Sequence, residues 1–556
     1  MRVTFIILLW TIFNYSQNIN VNDSYNYEFI RTSVLKGDYE SEYSFNIRPI
    51  LSDEFENFSN QFKTITGNER NTLMIKTLGI DYFIEYNSHH PYNRNNGTMI
   101  PNRGYQHIIS PGIFFKIGPL TVKFKPEHHF SENKIFDGFW EGHYPEIWAK
   151  RYKLWNTIDI PERFGNSRHN KTTVGQSSIK LNWKNFSLGI SNENIWWGPS
   201  LRNSIMMSNN AQGFKHITFH TNKPLETFVG NFEWQFITGR LENSGYTPPN
   251  VDFEYAGTKL YVPKINQMGD TDDWRFLQAM IISISPKWID GFSIGFIRWV
   301  QMYSALIEGK YWWMEGKPNF FPVFANLLRK NDTYENYEAQ TDQAAGLFFR
   351  WLWKDSKAEL YAEFYHNDSK QNLRDLLLDS DHSRAVTIGI QKVFEINDDN
   401  FLFSWEWTQM EQNATRLIRN AGSWYAHTYV YDGYTNNGEV LGSSIGPGSN
   451  SHYFNLSRIR ERDKLGIGIE IVDNDNDFYH EAFSSASDFR RYWKDINLHF
   501  NFSKGFKNFN LSSNLVYMRS LNYQWELDDY AQPYYHPGKD VDNFHLSLKF
   551  TYFGSW

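Results

Sequence analysis

The chain has 556 residues, including 45 Phe, 33 Tyr and 21 Trp, so it is 18% aromatic against 21% charged, and it contains no Cys. This composition excludes a disulfide framework, a thiolate metal site and a cysteine nucleophile. With 55 Lys and Arg against 62 Asp and Glu, the formal net charge of −7 provides no basic field for nucleic acid, and no such partner is expected.

At the amino end, Arg2 precedes the apolar run Val3 to Phe13, and Tyr15-Ser16-Gln17 closes it with a small residue. Residues 1–16 therefore read as a secretory signal peptide, because the run is too short to cross a bilayer as an anchor. Residues 17–70 lack a regular period. Within them Tyr27, Phe29, Ile30, Val34 and Leu35 form one side of an expected short helix that Gly37 stops, in a segment suited to a plug or a periplasmic arm.

From 71 to 556 the recurring pattern is alternation with period two, which sends successive side chains to opposite faces of a strand. The stretch 358–364 sets Ala358, Leu360, Ala362 and Phe364 against Glu359, Tyr361 and Glu363. In 401–408, Phe401, Phe403, Trp405 and Trp407 oppose Leu402, Ser404, Glu406 and Thr408. At the carboxyl end Phe544, Leu546, Leu548, Phe550 and Tyr552 alternate with His545, Ser547, Lys549 and Thr551, and Trp556 ends the chain in the apolar parity.

Strands with one apolar and one polar face suit a soluble sandwich or a transmembrane barrel with a polar lumen. The export signal, the aromatic content and the mean hydropathy of −0.58, which excludes helical spans, favour an all-β, antiparallel outer-membrane β-barrel in contact with membrane lipid. The 486 residues after position 70 allow about 27 for each of 18 strands, and 16 strands also fit.

Two clusters carry candidate binding chemistry. In the first, Trp196 and Trp197 precede Gly198-Pro199, with Asn209 and Asn210 close behind. Indole faces and planar amides are what sugar rings and hydroxyls require, although indoles in an interfacial belt and turn-capping amides explain the same residues. In the second, Arg416 and Arg419 lead to Trp424, Tyr425 and His427, and Arg458 with Arg460 lies on one strand face. These arginines suit the carboxylates of an acidic glycan, or pair inside the lumen with a carboxylate such as Glu470.

No catalytic residue, cofactor or metal is expected. Glu359 and Glu363 stand about 13 Å apart along one strand, too far for a glycosidase pair. His89-His90 and His128-His129 point apart if they lie in strands, and Asp473, Asp475 and Asp477 read as a solvated acidic loop.

The chain resembles the capsule assembly protein Wzi family. The resemblance is carried by Ser110-Pro111-Gly112 with Gly118-Pro119, Lys125-Pro126-Glu127, Arg163-Phe164-Gly165, Gly175-Gln176-Ser177, Trp196-Trp197-Gly198-Pro199 and Ser208-Asn209-Asn210-Ala211. Asp273-Trp274-Arg275, Ser285-Pro286, the glycine and aromatic cluster at 422–449 and Asn543-Phe544-His545-Leu546 extend it. It implies an outer-membrane barrel of 18 strands with a small helical element toward the amino end, which binds exported capsular or other surface polysaccharide without cleaving it. The Asn-rich, aromatic composition looks like the Bacteroidota branch. A protein of this kind would enter the membrane through the barrel-assembly machinery, and a monomer is expected. A diffusion channel for anions or oligosaccharides and a structural partner of an export system are the alternative functions.

Overall fold

A computed structural model describes residues 19, 21, 23–50, 73–264, 274–307, 321–324, 341–367, 373–397, 399–485, 490–528 and 538–552. The expectations for residues 1–16, for 51–70, and for Asp273 and Trp556 fall outside these.

Eighteen strands close one antiparallel barrel. They are β1 (Leu73–Asn87), β2 (Gly104–Ile117), β3 (Leu120–Phe124 and Glu127–Ser131), β4 (His169–Thr173 and Ser178–Trp183), β5 (Phe186–Ser191) and β6 (His216–Thr221). There follow β7 (Gly230–Leu241), β8 (Arg275–Pro286), β9 (Phe292–Tyr303), β10 (Asp342–Trp353), β11 (Ala358–Asn367) and β12 (Arg384–Ile396). The last six are β13 (Asp399–Gln409), β14 (Asn450–Arg460), β15 (Asp463–Asp473), β16 (Lys494–Gly505), β17 (Phe509–Leu521) and β18 (Val541–Tyr552). The seam is β18 on β1, from Ile80 opposite Tyr552 to Asn87 opposite His545. Closure removes the open edge that a bilayer does not tolerate.

The alternation read from the sequence sets the faces. On β13, Leu402, Ser404, Glu406 and Thr408 are buried in the lumen while the four aromatics of the other parity face out, and β11 buries Glu359, Tyr361 and Glu363 in the same way. Outward rings touch across strands near both rims: Phe186 with Trp234 and Phe292 with Trp351 at one, Tyr517 with Phe544 and Trp407 with His452 at the other. These are the aromatic girdles of a lipid-facing belt.

Connections at one end, such as 118–119, 184–185 and 461–462, are short turns, whereas those at the other, such as 132–168, 192–215 and 410–449, are long. In outer-membrane barrels the short turns are periplasmic and the long loops extracellular. The β3 and β4 interruptions face each other. Pro126 has no N–H for the ladder, and the Lys125 carbonyl instead accepts from Gln176 N at 2.9 Å. Gly175 fits there with φ +55°, because a Cβ would stand 2.5 Å from that same carbonyl.

The expected amino-terminal helix is α1 (Ser24–Lys36), ended by Gly37 in the left-handed conformation. Tyr27, Ile30, Val34 and Leu35 pack on Leu352, Val393, Leu402 and Ile459, which line the lumen near the periplasmic turns. Each such buried side chain is worth about 1.5–3 kcal/mol. The helix therefore sits inside the barrel against β10 and β12–β14. Two further helices, α2 (Pro145–Trp155) and α3 (Asn476–Ser485), pack together in the extracellular loops around Phe139, Trp148, Phe478, Phe483 and Trp525.

Candidate functional site

Residues 43–50 run from α1 into the lumen and meet the loop 192–215, which descends from the extracellular side. Ile47–Arg48 pairs antiparallel with Trp196–Trp197, Ile47 opposite Trp197 and Arg48 opposite Trp196. Asn46 Nδ2 donates to Ser283 and Ser293 at 3.0 Å each, fixing the crossing to β8 and β9.

Carboxylates of the barrel wall hold the descending loop. Glu406 on β13 accepts the backbone N–H groups of Leu201 (2.7 Å), Arg202 (3.2 Å) and Asn203 (2.8 Å) and the Tyr361 hydroxyl (2.8 Å). Glu363 on β11 accepts from Ser200 N (3.1 Å), the Ser200 hydroxyl and Ile205 N (3.4 Å). Arg202 reaches Glu470 on β15 at 2.9 Å. At the root of the loop, Glu193 takes Lys123 and Lys180 at 2.7 and 2.5 Å, so the two wall lysines draw its carboxyl well below the usual range. Charged partners make these the strong class of hydrogen bond, and a buried carboxylate without them would be costly.

Two other outer loops close over this plug. In 88–103, Tyr92 donates to Glu470 and Asn96 to Glu85. In 410–449, Tyr434 stacks on Trp299 of β9 with centroids 3.9 Å apart and planes 5° apart, and Tyr425 donates to the Ile205 carbonyl at 2.9 Å. Arg275 ties this loop to the wall through the carbonyls of Gly433 (2.5 Å) and Glu242 (2.9 Å).

The expected binding residues separate into three places. Trp196 and Trp197 are buried, with Trp197 Nε1 donating to Gln235 at 2.8 Å and Trp196 Nε1 to the Ser200 carbonyl at 3.1 Å. Asn209 and Asn210 spend their amide donors on the carbonyls of Asn95 and Val440. The structure places neither indole in an interfacial belt nor on an outer surface; both belong to the plug. Trp424 and Tyr425 are likewise buried beneath the loops.

Arg416, Arg419 and His427 lie on the outer loops. Arg416 pairs with Glu411 at 3.2 Å and Arg419 with Asp375 at 2.8 Å, which joins two loops. His427 Nδ1 accepts the N–H groups of Tyr429 and Val430, and beside it the Tyr429 ring is 45% exposed.

Arg458 and Arg460 are a correction to the lumen reading. Both share the outward parity of β14 with Phe454 and Leu456 and sit at the periplasmic rim, where they pair with Asp399 at 2.6 and 2.7 Å. Glu470 lies on the other face, toward the lumen, opposite Tyr453.

Two further expectations change. His89 and His90 touch, Nδ1 to Nδ1 at 3.1 Å, because they lie beyond the end of β1, where strand alternation no longer applies. Asp477 is buried under the loops rather than solvated, and burial with Asp475 and Glu411 nearby pushes its carboxyl up to about 8. Sequence reasoning missed the gripping roles of Glu363 and Glu406; the signal present was a carboxylate in the inward parity of each strand.

Residues 112–477 match the profile of the family described as capsule assembly protein Wzi. The chain belongs to this family. In fold it is similar to Wzi of Escherichia coli, described as an outer-membrane protein involved in group 1 capsule assembly and a carbohydrate-binding β-barrel. The two are 12% identical, with a TM-score of 0.59 over 98% of this chain and 100% of that one. OccAB2 of Acinetobacter baumannii, 8% identical over 85% of this chain and 97% of its own, and OpdQ of Pseudomonas aeruginosa, 9% over 86% and 97%, both give TM-scores of 0.38. Comparison with curated protein sequences gives no match. Like the Wzi family generally, this chain is an outer-membrane β-barrel, and its motif residues 125–127, 175–177, 196–199 and 208–211 are those that kink the wall and seat the plug.

Proposed function

We propose that this Wzi family member is a non-enzymatic outer-membrane lectin that retains capsular or another surface polysaccharide on the extracellular face. The observation that carries the reading is the seating of loop 192–215 on residues 43–50 inside the lumen. A lumen crossed by two segments and gripped by buried carboxylates serves poorly as a diffusion path, which leaves the outer loops as the working surface.

On that surface Tyr429 offers an exposed ring beside the His427 imidazole, the combination of stacking face and polar edge that saccharides require. Trp196, Trp197, Asn209 and Asn210 then act indirectly, by holding the loop from which the crown is built. The barrel works as a monomer delivered by the barrel-assembly machinery.

The test is retention of polysaccharide on intact cells. Tyr429→Ala with His427→Ala is expected to release glycan while the barrel still assembles, as judged by heat-modifiable gel mobility. Unchanged retention in that assembled double variant overturns the assignment of the surface.

A further inference from the structure

α1 and residues 43–50 cover the wall made by β8–β14 and leave most of the opposite wall of β15–β18 and β1 uncovered. Between them lies a cavity of about 370 Å³. Lys464, Ser503, Ser512 and Lys549 border it near the periplasmic turns and are all partly exposed, and Tyr92, Arg94 and Arg202 border its inner end. Among the described residues the cavity thus opens toward the periplasm and ends blindly beneath the plug.

Carboxylates of Glu28, Asp81, Glu85, Glu127 and Glu406 line it as well as cations, and most of the cations are matched. Arg31 pairs with Glu359, Arg202 with Glu470 and Lys464 with Glu28. Arg48 has no carboxylate partner among the described residues. It is 8% exposed, its guanidinium lies 5.1 Å from the centroid of Trp196 and 5.6 Å from that of Tyr27, and it donates once, to the Ser200 carbonyl at 3.3 Å. Its buried Nε meets no acceptor, and its charged neighbours are Arg31, Arg350 and Glu359, the last already held by the other two arginines. Arg94, over the Tyr92 ring, also has an Nε without an acceptor. A buried guanidinium without a counter-charge is costly, and a ligand carboxylate supplies one with matching fork geometry.

The rest of the lining gives the ligand its class. Ser512, Asn514 and Asn501 line it together with Tyr92, so the site offers hydroxyl, amide and aromatic contacts around the Arg48 guanidinium. We propose that this cavity is a second saccharide site, entered from the periplasm, that takes a short acidic oligosaccharide with a uronate carboxylate on Arg48. The ligand class rests on the lectin reading, but the site does not overlap the outer surface.

Isothermal titration calorimetry on the full-length, detergent-folded protein tests it, with trigalacturonate, its neutral methyl ester and acetate as probes. Trigalacturonate is expected to bind at least tenfold more tightly than the other two. Arg48→Gln should weaken it at least tenfold, and Ser512→Trp should abolish it by filling the mouth. If Arg48→Gln does not fold, Ser512→Trp and the methyl ester carry the comparison. Absence of binding, equal binding of the ester or acetate, or binding that survives Ser512→Trp overturns the proposal. Binding that survives Ser512→Trp places the ligand on the outer face and leaves the lectin reading standing.

Discussion

The Glu363 carboxylate, on barrel strand β11, accepts both the backbone N–H and the hydroxyl of Ser200, a residue 163 positions earlier in the chain. A wall strand thereby fixes the tip of an extracellular loop that has folded into the lumen. Glu406 repeats the arrangement one residue on, at Leu201.

Removing these acceptors should unseat the plug. Glu363→Ala with Glu406→Ala strips the loop's buried N–H groups of their partners, at about 1–3 kcal/mol for each group left unsatisfied. Planar-bilayer recordings should show no steady conductance steps for the wild type and flickering steps for the double variant. A silent double variant with normal barrel mobility would mean that the loop stays in place without its carboxylates.

Arg31 anchors α1 to the wall. It bonds Glu359 at 2.7 Å and the Pro199 carbonyl at 2.7 Å, and Glu359 also takes Arg350 at 2.5 Å. Arg31→Ala breaks a buried ion network, so a loss of about 3–5 kcal/mol is expected locally. Limited proteolysis of the folded barrel should then cut within residues 23–50, which the wild type protects.

The acidic cluster under the loops makes the crown sensitive to pH. Asp477 accepts from Gln412 N at 2.9 Å, and its carboxyl is pushed up to about 8, with Asp475 pushed up to about 6, chiefly by burial in both cases. Asp475 and Glu411 add repulsion at Asp477, and Arg416 opposes it. The closed crown keeps a proton on Asp477 that an open one releases above about pH 4, so its stability is greatest at low pH and falls as pH rises through about 8. Hydrogen exchange in peptides spanning 410–420 and 474–485, corrected for intrinsic rates, should be faster at pH 8.5 than at pH 5.5. Asp477→Asn should flatten that dependence.

The two aromatic clusters should respond differently to truncation. Trp197→Ala empties a fully buried site and removes the donor to Gln235, for an expected loss of about 3–5 kcal/mol. Tyr429→Ala, on the exposed face of its loop, should change stability by less than about 0.5 kcal/mol. Thermal or denaturant unfolding in detergent distinguishes the two.

The sequence by itself determined the strands and their faces. Alternation is a local property, so the lipid-facing aromatics of β13, the polar interior of β11 and the α1 stripe of Tyr27, Ile30, Val34 and Leu35 were all legible from neighbouring residues. Number parity alone grouped Arg458 and Arg460 with Glu470; the register across the 461–462 turn, which sets Tyr453 opposite Glu470 and Leu465 opposite Arg458, puts them on opposite faces. Only the tertiary structure decided that Trp196 and Trp197 turn inward onto Arg48 and Ile47, and that Glu363 and Glu406 grip backbone instead of substrate. Those contacts join residues more than a hundred positions apart. They exist because barrel closure brings distant strands around one lumen, and because buried N–H groups and carboxylates there have no water to satisfy them and must satisfy one another.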